Sequence, residues 1–317
     1  MKSSQRIKYS SHYLIQKLLL PWSRKHRQET VMGFTFILPA LILFLVFGYY
    51  PFYRTITISF TNWDGISSTY DFIGLDNYRK IFTDALWWKS MLNGLFFAIV
   101  AIIFMNGLAL LLALAVDKNI HGKEIYKTIF YIPTILSGVV VAIIWKWLYQ
   151  PIGGPINQFL ELIGLENLTR TWLADSGTVL WAVSIASMWM GIGNPFLLFY
   201  AGLQGVPVEL YEAARIDGAN ENQIFLHITL PFLIPITTVI TILTLLGAMQ
   251  MFNLVLAMTN GGPSYATEVP VLHIYRGAFK LFDFGYASAL SVLFGGILLV
   301  ISLLQMWLSR KVGVRAE

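Results

Sequence analysis

Six long apolar stretches alternate with shorter polar segments along the chain, at residues 31–50, 91–116, 125–148, 179–203, 230–258 and 286–308. Each reaches the about 20 residues a helix needs to cross the hydrocarbon of a bilayer. The pattern predicts an all-α, polytopic membrane protein with six transmembrane helices. The polar segments carry signals of their own. Asp84, Ala85 and Leu86 suit a short surface helix leading into the second span, and Trp63, Tyr70, Tyr78, Trp87 and Trp88 around it suit a membrane–water boundary. PIGGP at 151–155 predicts a turn, with a short helix over 156–163, and Asn260, Gly261, Gly262 and Pro263 predict a firm end to the fifth span. Ahead of the first span, Tyr13, Leu14, Ile15, Leu18, Leu19 and Leu20 fit either a short helix on the cytoplasmic face or a disordered basic tail. No internal repeat or separate soluble domain interrupts this plan of a basic segment over 1–30, one membrane domain over 31–308 and a tail over 309–317.

Composition narrows the solvent and charge sets the orientation. With 56% hydrophobic and 12% charged residues among 317, the chain is too apolar for an ordinary soluble domain. The net charge of +5 does not point to nucleic acid, because the basic residues sit near the ends of spans. Lys2, Arg6, Lys8, Lys17, Arg24, Lys25 and Arg27 precede the first span, Lys118, Lys123 and Lys127 follow the second, and Arg310, Lys311 and Arg315 close the chain. The segment between the third and fourth spans instead carries Glu161, Glu166 and Asp175 against Arg170. By the positive-inside rule both termini lie in the cytoplasm. The absence of cysteine removes disulfides and thiolate metal sites from consideration. Residues 1–30 lack the apolar core of a cleavable signal peptide, so the first span is expected to act as an uncleaved insertion signal.

The cytoplasmic loop over 204–231 differs from the others in holding helix signals. Pro207 suits a first helical position, Glu209 its first turn and Gly218 a left-handed stop. Asn220 with Gln223 three residues on has the form of a capping pair opening a second helix, expected to end near Pro231. Two short helices at an angle would make a rigid knob on the inner face.

This loop, EAARIDGANENQIFLHITLP, carries a resemblance. Glu212, Ala213, Ala214, Gly218, Ile228, Leu230 and Pro231 are similar to the EAA signature of importer permeases in the ATP-binding-cassette superfamily, at that family's spacing. MTNGGP at 258–263 and FIGLDNYRKIF at 72–82 resemble its carbohydrate-uptake branch, which includes the maltose and glycerol-phosphate permeases. The resemblance spans the first membrane segment to Leu308. It implies a type I importer permease in the bacterial cytoplasmic membrane. Its partners would be two ATP-hydrolysing subunits holding ATP and Mg2+, a second, usually different, homologous permease, and an extracytoplasmic solute-binding protein that delivers a sugar or oligosaccharide. It also implies that Glu212 and the Gly218 turn dock into a groove of the ATPase subunit, with Ala213 and Ala214 allowing close approach. A carboxylate on a protruding helix can pair with a basic partner residue, and Arg215 and Asp217 can pair with each other or with the partner.

Polar residues inside spans are costly and so mark where solute passes. No Asp, Glu, Lys, Arg or His lies centrally in any stretch, and Lys146 is close to an end. Neutral polarity suited to sugar hydroxyls remains. Ser184, Ser187, Gly191 and Asn194 fall within an arc of about 80° at about 100° per residue, and Pro195 must interrupt the helical ladder beside them. In the fifth stretch Thr237, Thr241 and Thr244 share one face and Gln250 and Asn253 a nearly opposite one. Threonines can bond back to their own helix, whereas amides both donate and accept. Asn194, Gln250 and Asn253 are therefore the expected pathway residues, with Trp189 and Phe252 as surfaces on which a sugar ring can stack. Ser184, Ser187 and Gly191, like Ala287, Ser291 and Gly295, fit helix packing better.

Two other classes are weaker. An ion-coupled secondary transporter of a neutral polar solute predicts inverted repeats and a coupling-ion site, and neither is visible. A membrane enzyme would need an acid–base or metal constellation, and Glu212, Arg215 and Asp217 have no histidine or metal-type cluster beside them. No GxxxxGK[ST] phosphate loop occurs. The expectation is a transport subunit with no catalytic residues and no cofactor of its own.

Overall fold

The computed structural model describes residues 24–118 and 121–313, with side chains from residue 32 to residue 307. The expected helix or tail over 13–20 lies outside them. The chain divides into two compact units, residues 1–57 and 58–317.

The described residues of the first unit form one long helical run. Helix α1 (Arg24–Phe44) passes through a wide turn at Leu45–Tyr49 into α2 (Tyr50–Ile58), and Met32–Ile58 is long and apolar enough to span a bilayer. The wide turn ends two residues before Pro51, with the Tyr50 amide donating to the Leu45 carbonyl. A proline cannot donate to the carbonyl four residues back, and a π-type turn absorbs the missing bond without ending the helix.

The second unit opens with the 72–82 motif. Its α3 (Asp76–Thr83) is held by buried Asn77, whose Nδ2 donates to the Ser59 carbonyl at 3.0 Å and the Thr61 carbonyl at 2.8 Å. The second span then runs without a break from α4 (Ala85–Val100) through a wide turn at Ala101–Met105 into α5 (Asn106–Asp117). The surface helix expected at Asp84 is absent. Asp84 is instead the N-cap of α4, accepting from the Leu86 and Trp87 amides at 2.9 and 3.0 Å.

The third stretch is two helices, α6 (Lys123–Ile135) and α7 (Gly138–Leu148), bent by 99° rather than one continuous helix. Pro133 weakens the end of α6, and Ser137 caps α7 by accepting from the Val140 amide. The external turn and short helix expected next are present, as α8 (Pro155–Leu162).

The fourth stretch breaks where Pro195 demands it. Helices α9 (Val179–Gly191) and α10 (Gly193–Gln204) meet at 47°. The freed ladder groups are taken up by Thr134, whose hydroxyl donates to the Met190 carbonyl at 2.9 Å and accepts from the Gly193 amide at 3.1 Å.

After α11 (Val208–Ile216) and α12 (Glu221–Ile224), a wide turn at Phe225–Thr229 leads directly into α13 (Leu230–Met249). The second loop helix therefore does not end at Pro231. The wide turn again stops two residues short of a proline, and the helix continues as the fifth span. That span is itself shorter than expected. It stops at Met249, and after Gln250–Phe252 the chain restarts as α14 (Asn253–Met258). A further helix, α15 (Pro270–Phe279), precedes the last span, α16 (Phe284–Gly313). Among the described residues, four helices are long and apolar enough to span, and six segments result if each bent pair is one span.

Three apolar clusters join these elements. One packs α5, α10 and α13 through Ala109, Ala113, Phe196, Phe199, Leu203 and Leu233. A second packs α7, α9 and α14 through Val141, Ala142, Ala182, Val183, Leu254 and Val255. The third joins α4 to α16 through Trp87, Ala98, Leu290 and Phe294.

Candidate transport pathway and coupling loop

The 204–231 loop owes its shape to its two ends. Helix α11 closes in a left-handed turn at Gly218, φ +80°, with the Ala219 amide donating to the Ala214 carbonyl at 2.9 Å and the Gly218 amide to the Arg215 carbonyl at 3.1 Å. This pair of bonds is a Schellman motif, and it needs a residue that tolerates positive φ. Two residues later Asn220 and Gln223 form the full capping box, Oδ1 accepting from the Gln223 amide at 2.9 Å and Oε1 from the Asn220 amide at 2.8 Å. Pro207 stands one residue earlier than expected, as the N-cap of α11 rather than its first residue.

No residue of α11 is buried. Glu212, Ala213, Arg215, Asp217 and Gly218 are exposed and Ala214 is half-buried. Val208 is 62% exposed and Ile216 85%, so the helix presents apolar side chains as well as charge. Arg215 pairs with Glu221 across the turn, Nη2 to Oε1 at 3.5 Å, rather than with Asp217. Beside the turn lies a 370 Å³ depression lined by Ala214, Asp217, Gly218, Gln223, Ile224 and His227, among others. Tyr211 and Thr229, hydroxyl to hydroxyl at 3.3 Å, tie α11 to the base of the fifth span.

A cavity of 740 Å³ opens among the Ala101–Met105 turn, α7, α9, α10, α13 and α14. Asn194, Asn253 and Phe252 line it, as do Ser187 and Thr244. None of its lining residues is charged. A mostly apolar wall with a few neutral hydrogen-bonding groups suits an uncharged, hydroxylated ligand, which such a wall can orient without demanding ionic partners.

Two expected pathway residues fall elsewhere. Gln250 is exposed at the C-cap of α13, because the break at Gln250–Phe252 removes the helical phase that would have aligned it with Asn253. Trp189 lies outside the cavity, edge to face with Trp145 at a 6.0 Å ring separation. The same break lets both faces of the fifth stretch contribute, Thr244 before it and Asn253 after it. Thr241 donates to the Thr237 carbonyl and Ser184 to the Leu180 carbonyl, so these hydroxyls serve their own helices.

Asn106 is a residue that pattern reading passed over. It is 6% exposed, in the middle of the second span, and its Oδ1 accepts from the Thr244 hydroxyl at 3.0 Å. Its Nδ2 has no protein partner. An asparagine inside an apolar run was the signal available. Because Thr244 gives its proton to Asn106, its oxygen is left as an acceptor at the cavity wall.

Residues 105–314 match the family described as binding-protein-dependent transport system inner membrane component. The chain belongs to this family. The permease is 36% identical over 281 residues to the probable ABC transporter permease protein YurN of Bacillus subtilis (strain 168), covering 88% of this chain and 96% of that one. It is 34% identical over 279 residues to the multiple sugar-binding transport system permease protein MsmF of Streptococcus mutans serotype c, covering 88% and 95%. With the diacetylchitobiose uptake system permease protein NgcF of Streptomyces coelicolor it shares 33% over 306 residues, covering 92% and 86%. Its fold resembles that of a chain in the crystal structure of a bacterial alginate ABC transporter in complex with an alginate pentasaccharide-bound periplasmic protein. The TM-score is 0.81 at 23% identity, over 92% of this chain and 99% of that chain. The permease is a multi-pass inner-membrane component, and in its family the ATPase is a separate subunit.

Proposed function

We propose that the permease forms, with a second homologous permease, the pathway by which a sugar or oligosaccharide delivered by an extracytoplasmic binding protein enters the cell, driven by two ATP-binding-cassette subunits. The observation that carries this reading is the pairing of an uncharged 740 Å³ cavity holding Asn194 and Asn253 with a conformationally fixed helix at Val208–Ile216 that buries none of its residues. Relatives named for multiple sugars and diacetylchitobiose support a carbohydrate cargo. In this reading Glu212, Arg215 and Asp217 meet the ATPase subunit through charge, while Ala213, Ala214 and Gly218 let its surface come close. ATP and Mg2+ are held by that subunit. Asn194 and Asn253 exchange hydrogen bonds with solute hydroxyls and Phe252 offers a ring to stack on; Gln250 and Trp189 act only if the pathway widens beyond the cavity. Both termini and the 204–231 loop face the cytoplasm, with residues 31–308 as the transport domain.

The test is uptake of labelled mono- and oligosaccharides into proteoliposomes holding the complete transporter, with the binding protein outside. ATP inside should drive uptake when protonophore and ionophore have collapsed all ion gradients. Uptake that stops with the gradients and ignores ATP would establish the ion-coupled alternative instead.

A further inference from the structure

The loop between α14 and α15 holds a buried carboxylate that the transport reading does not use. Glu268 is fully buried. Arg276 Nη1 stands 3.2 Å from its Oε2, and neither carboxylate oxygen accepts a directed hydrogen bond. The same guanidinium turns its Nη2 the other way, donating to both the main-chain and side-chain oxygens of Asn260. Asn260 follows the C-cap Thr259 of α14, its amide donating to the Val255 and Leu256 carbonyls of the last turn. Arg276 therefore bridges a buried negative charge and the C-terminal end of the helix whose first residue is Asn253.

The surroundings leave little freedom for this bridge. Asn93 of α4 donates to the Ala266 and Glu268 carbonyls at 3.0 and 2.8 Å, fixing the loop against the second span. The Thr259 and Thr267 hydroxyls lie 2.7 Å apart, and Thr267 donates to the Gly262 carbonyl at 2.8 Å. Gly261 has φ +78°, and a Cβ there would stand 2.2 Å from Glu268 Oε2. At the opposite end of α14, a Cβ at Gly138 would meet Asn253 Cβ at 3.4 Å. The six-residue helix Asn253–Met258 is too short to hold itself, so Leu254 and Val255 seat it against α7 and α9 while these two anchors fix its ends.

We propose that Glu268 and Arg276 are positioning residues for transport, acting through Asn260 to hold the Asn253–Met258 helix so that Asn253 stays in the pathway wall. The inference rests on the proposed transport function, but its primary test does not. Neutralising Glu268 removes the counter-charge that keeps Arg276, whose side chain is 23% exposed, turned inward from water. Burial pushes the Glu268 carboxyl up to about 7, against the pull of Arg276. Other groups facing this site are His273 of α15, with Nδ1 3.9 Å from Glu268, and Asp84, which binds His273 Nε2 at 3.1 Å. Lys89 donates to the Ser264 carbonyl on the loop's outer side. Burial holds His273 below its usual value, outweighing Asp84, so Glu268 is the group of this set that changes charge near pH 7.

The chain has no cysteine, so Gly138→Cys with Asn253→Cys gives one defined pair, its 3.4 Å between Cβ positions at the short edge of the about 3.5–4.5 Å a disulfide needs. In membrane vesicles carrying the whole transporter, copper phenanthroline should cross-link this pair readily. Adding Glu268→Gln or Arg276→Met should slow cross-linking by about threefold to tenfold, the effect of releasing one or two hydrogen bonds. Removing both charges with Glu268→Leu and Arg276→Met should restore accumulation and thermal stability, yet leave cross-linking slow, since no donor reaches Asn260. Cross-linking at the reference rate in this double variant would overturn the proposal, even if the single variants fail to fold. In uptake assays, Asn253→Ala sets the rise in half-saturating solute concentration that losing Asn253 causes, and Glu268→Gln should shift it the same way with turnover retained. The parent value should rise as external pH falls through about 7, and the Glu268→Gln value should stay flat. If Asn253→Ala changes nothing, the pathway reading fails while the cross-link still judges the clamp.

Discussion

Gly218 separates what the fold needs from what a partner needs. Its φ of +80° is unfavourable for any residue with a Cβ, and a Cβ built there finds no atom within 4 Å. Replacing it by alanine should therefore cost only the left-handed conformation, about 1–2 kcal/mol. Asparagine should cost less, because its short polar side chain tolerates that region. Gly218 is exposed and its Cβ direction is open, so Gly218→Trp should destabilise the permease by about the same 1–2 kcal/mol as Gly218→Ala. The two variants should differ sharply elsewhere. If an ATPase subunit seats over the turn, an indole stands where its surface must approach, whereas a methyl does not. The assay is paired: thermal unfolding of each purified variant, and the ratio of ATPase subunit to permease recovered on affinity purification of the complex. Matched unfolding midpoints with a large loss of ATPase for tryptophan alone is the expected result. Recovery of the ATPase subunit at the wild-type ratio with Gly218→Trp would refute docking at this turn.

Three further outcomes follow from the packing. Gly261→Ala forces a Cβ toward Glu268 Oε2 at 2.2 Å in addition to its positive φ, so its thermal midpoint should fall well beyond that of Gly218→Ala. Thr244→Val strands the buried Asn106 amide and should cost about 1–3 kcal/mol, whereas adding Asn106→Leu should recover most of that loss, measured by unfolding in detergent. Burial works against the Asp84 carboxylate, but bonds from Tyr286, the Trp87 amide and His273 outweigh it and hold its pKa below the ordinary 3.8. A depressed carboxylate stabilises the fold above pH 3.8, and that stabilisation is lost as pH falls through the lowered value. Asp84→Ala should lose about 0.5–2 kcal/mol as a missing N-cap, and its stability should no longer respond to pH in that acidic window.

What the sequence revealed depended on whether the cause was local. The break before Pro195 was readable because a proline withholds its donor in any context, and the capping box at Asn220 and Gln223 because both partners lie within one turn. Pro231 misled for a related reason. Its missing bond suggested a helix end, but a wide turn at Phe225–Thr229 absorbed it and the helix ran on. The same local reasoning, applied to Pro133 and the Ser137 cap, would have exposed the 99° bend in the third stretch. The interruption at Gln250–Phe252 contains neither glycine nor proline. It accompanies contacts distant in sequence, Gly138 against Asn253 and Phe252 against Tyr275 with rings 5.2 Å apart, and so the supposed shared face of Gln250 and Asn253 was lost. Asn106 could be flagged from its apolar surroundings, but its partner Thr244 could not. Glu268 looked like an ordinary loop carboxylate, because its burial is created by Arg276, Gly261 and the anchoring from Asn93.

The cavity shared by Asn194 and Asn253 is where solute would pass, and solute protection tests this most directly. Single cysteines at 194 and at 253 in this cysteine-free chain should react with a small polar maleimide in the assembled transporter, and a cysteine at 250 serves as an outside reference. The transported sugar, supplied with its binding protein and ATP, should slow labelling at 194 and 253 and leave 250 unchanged. Equal labelling rates at 194 and 253 with and without that sugar would contradict the account.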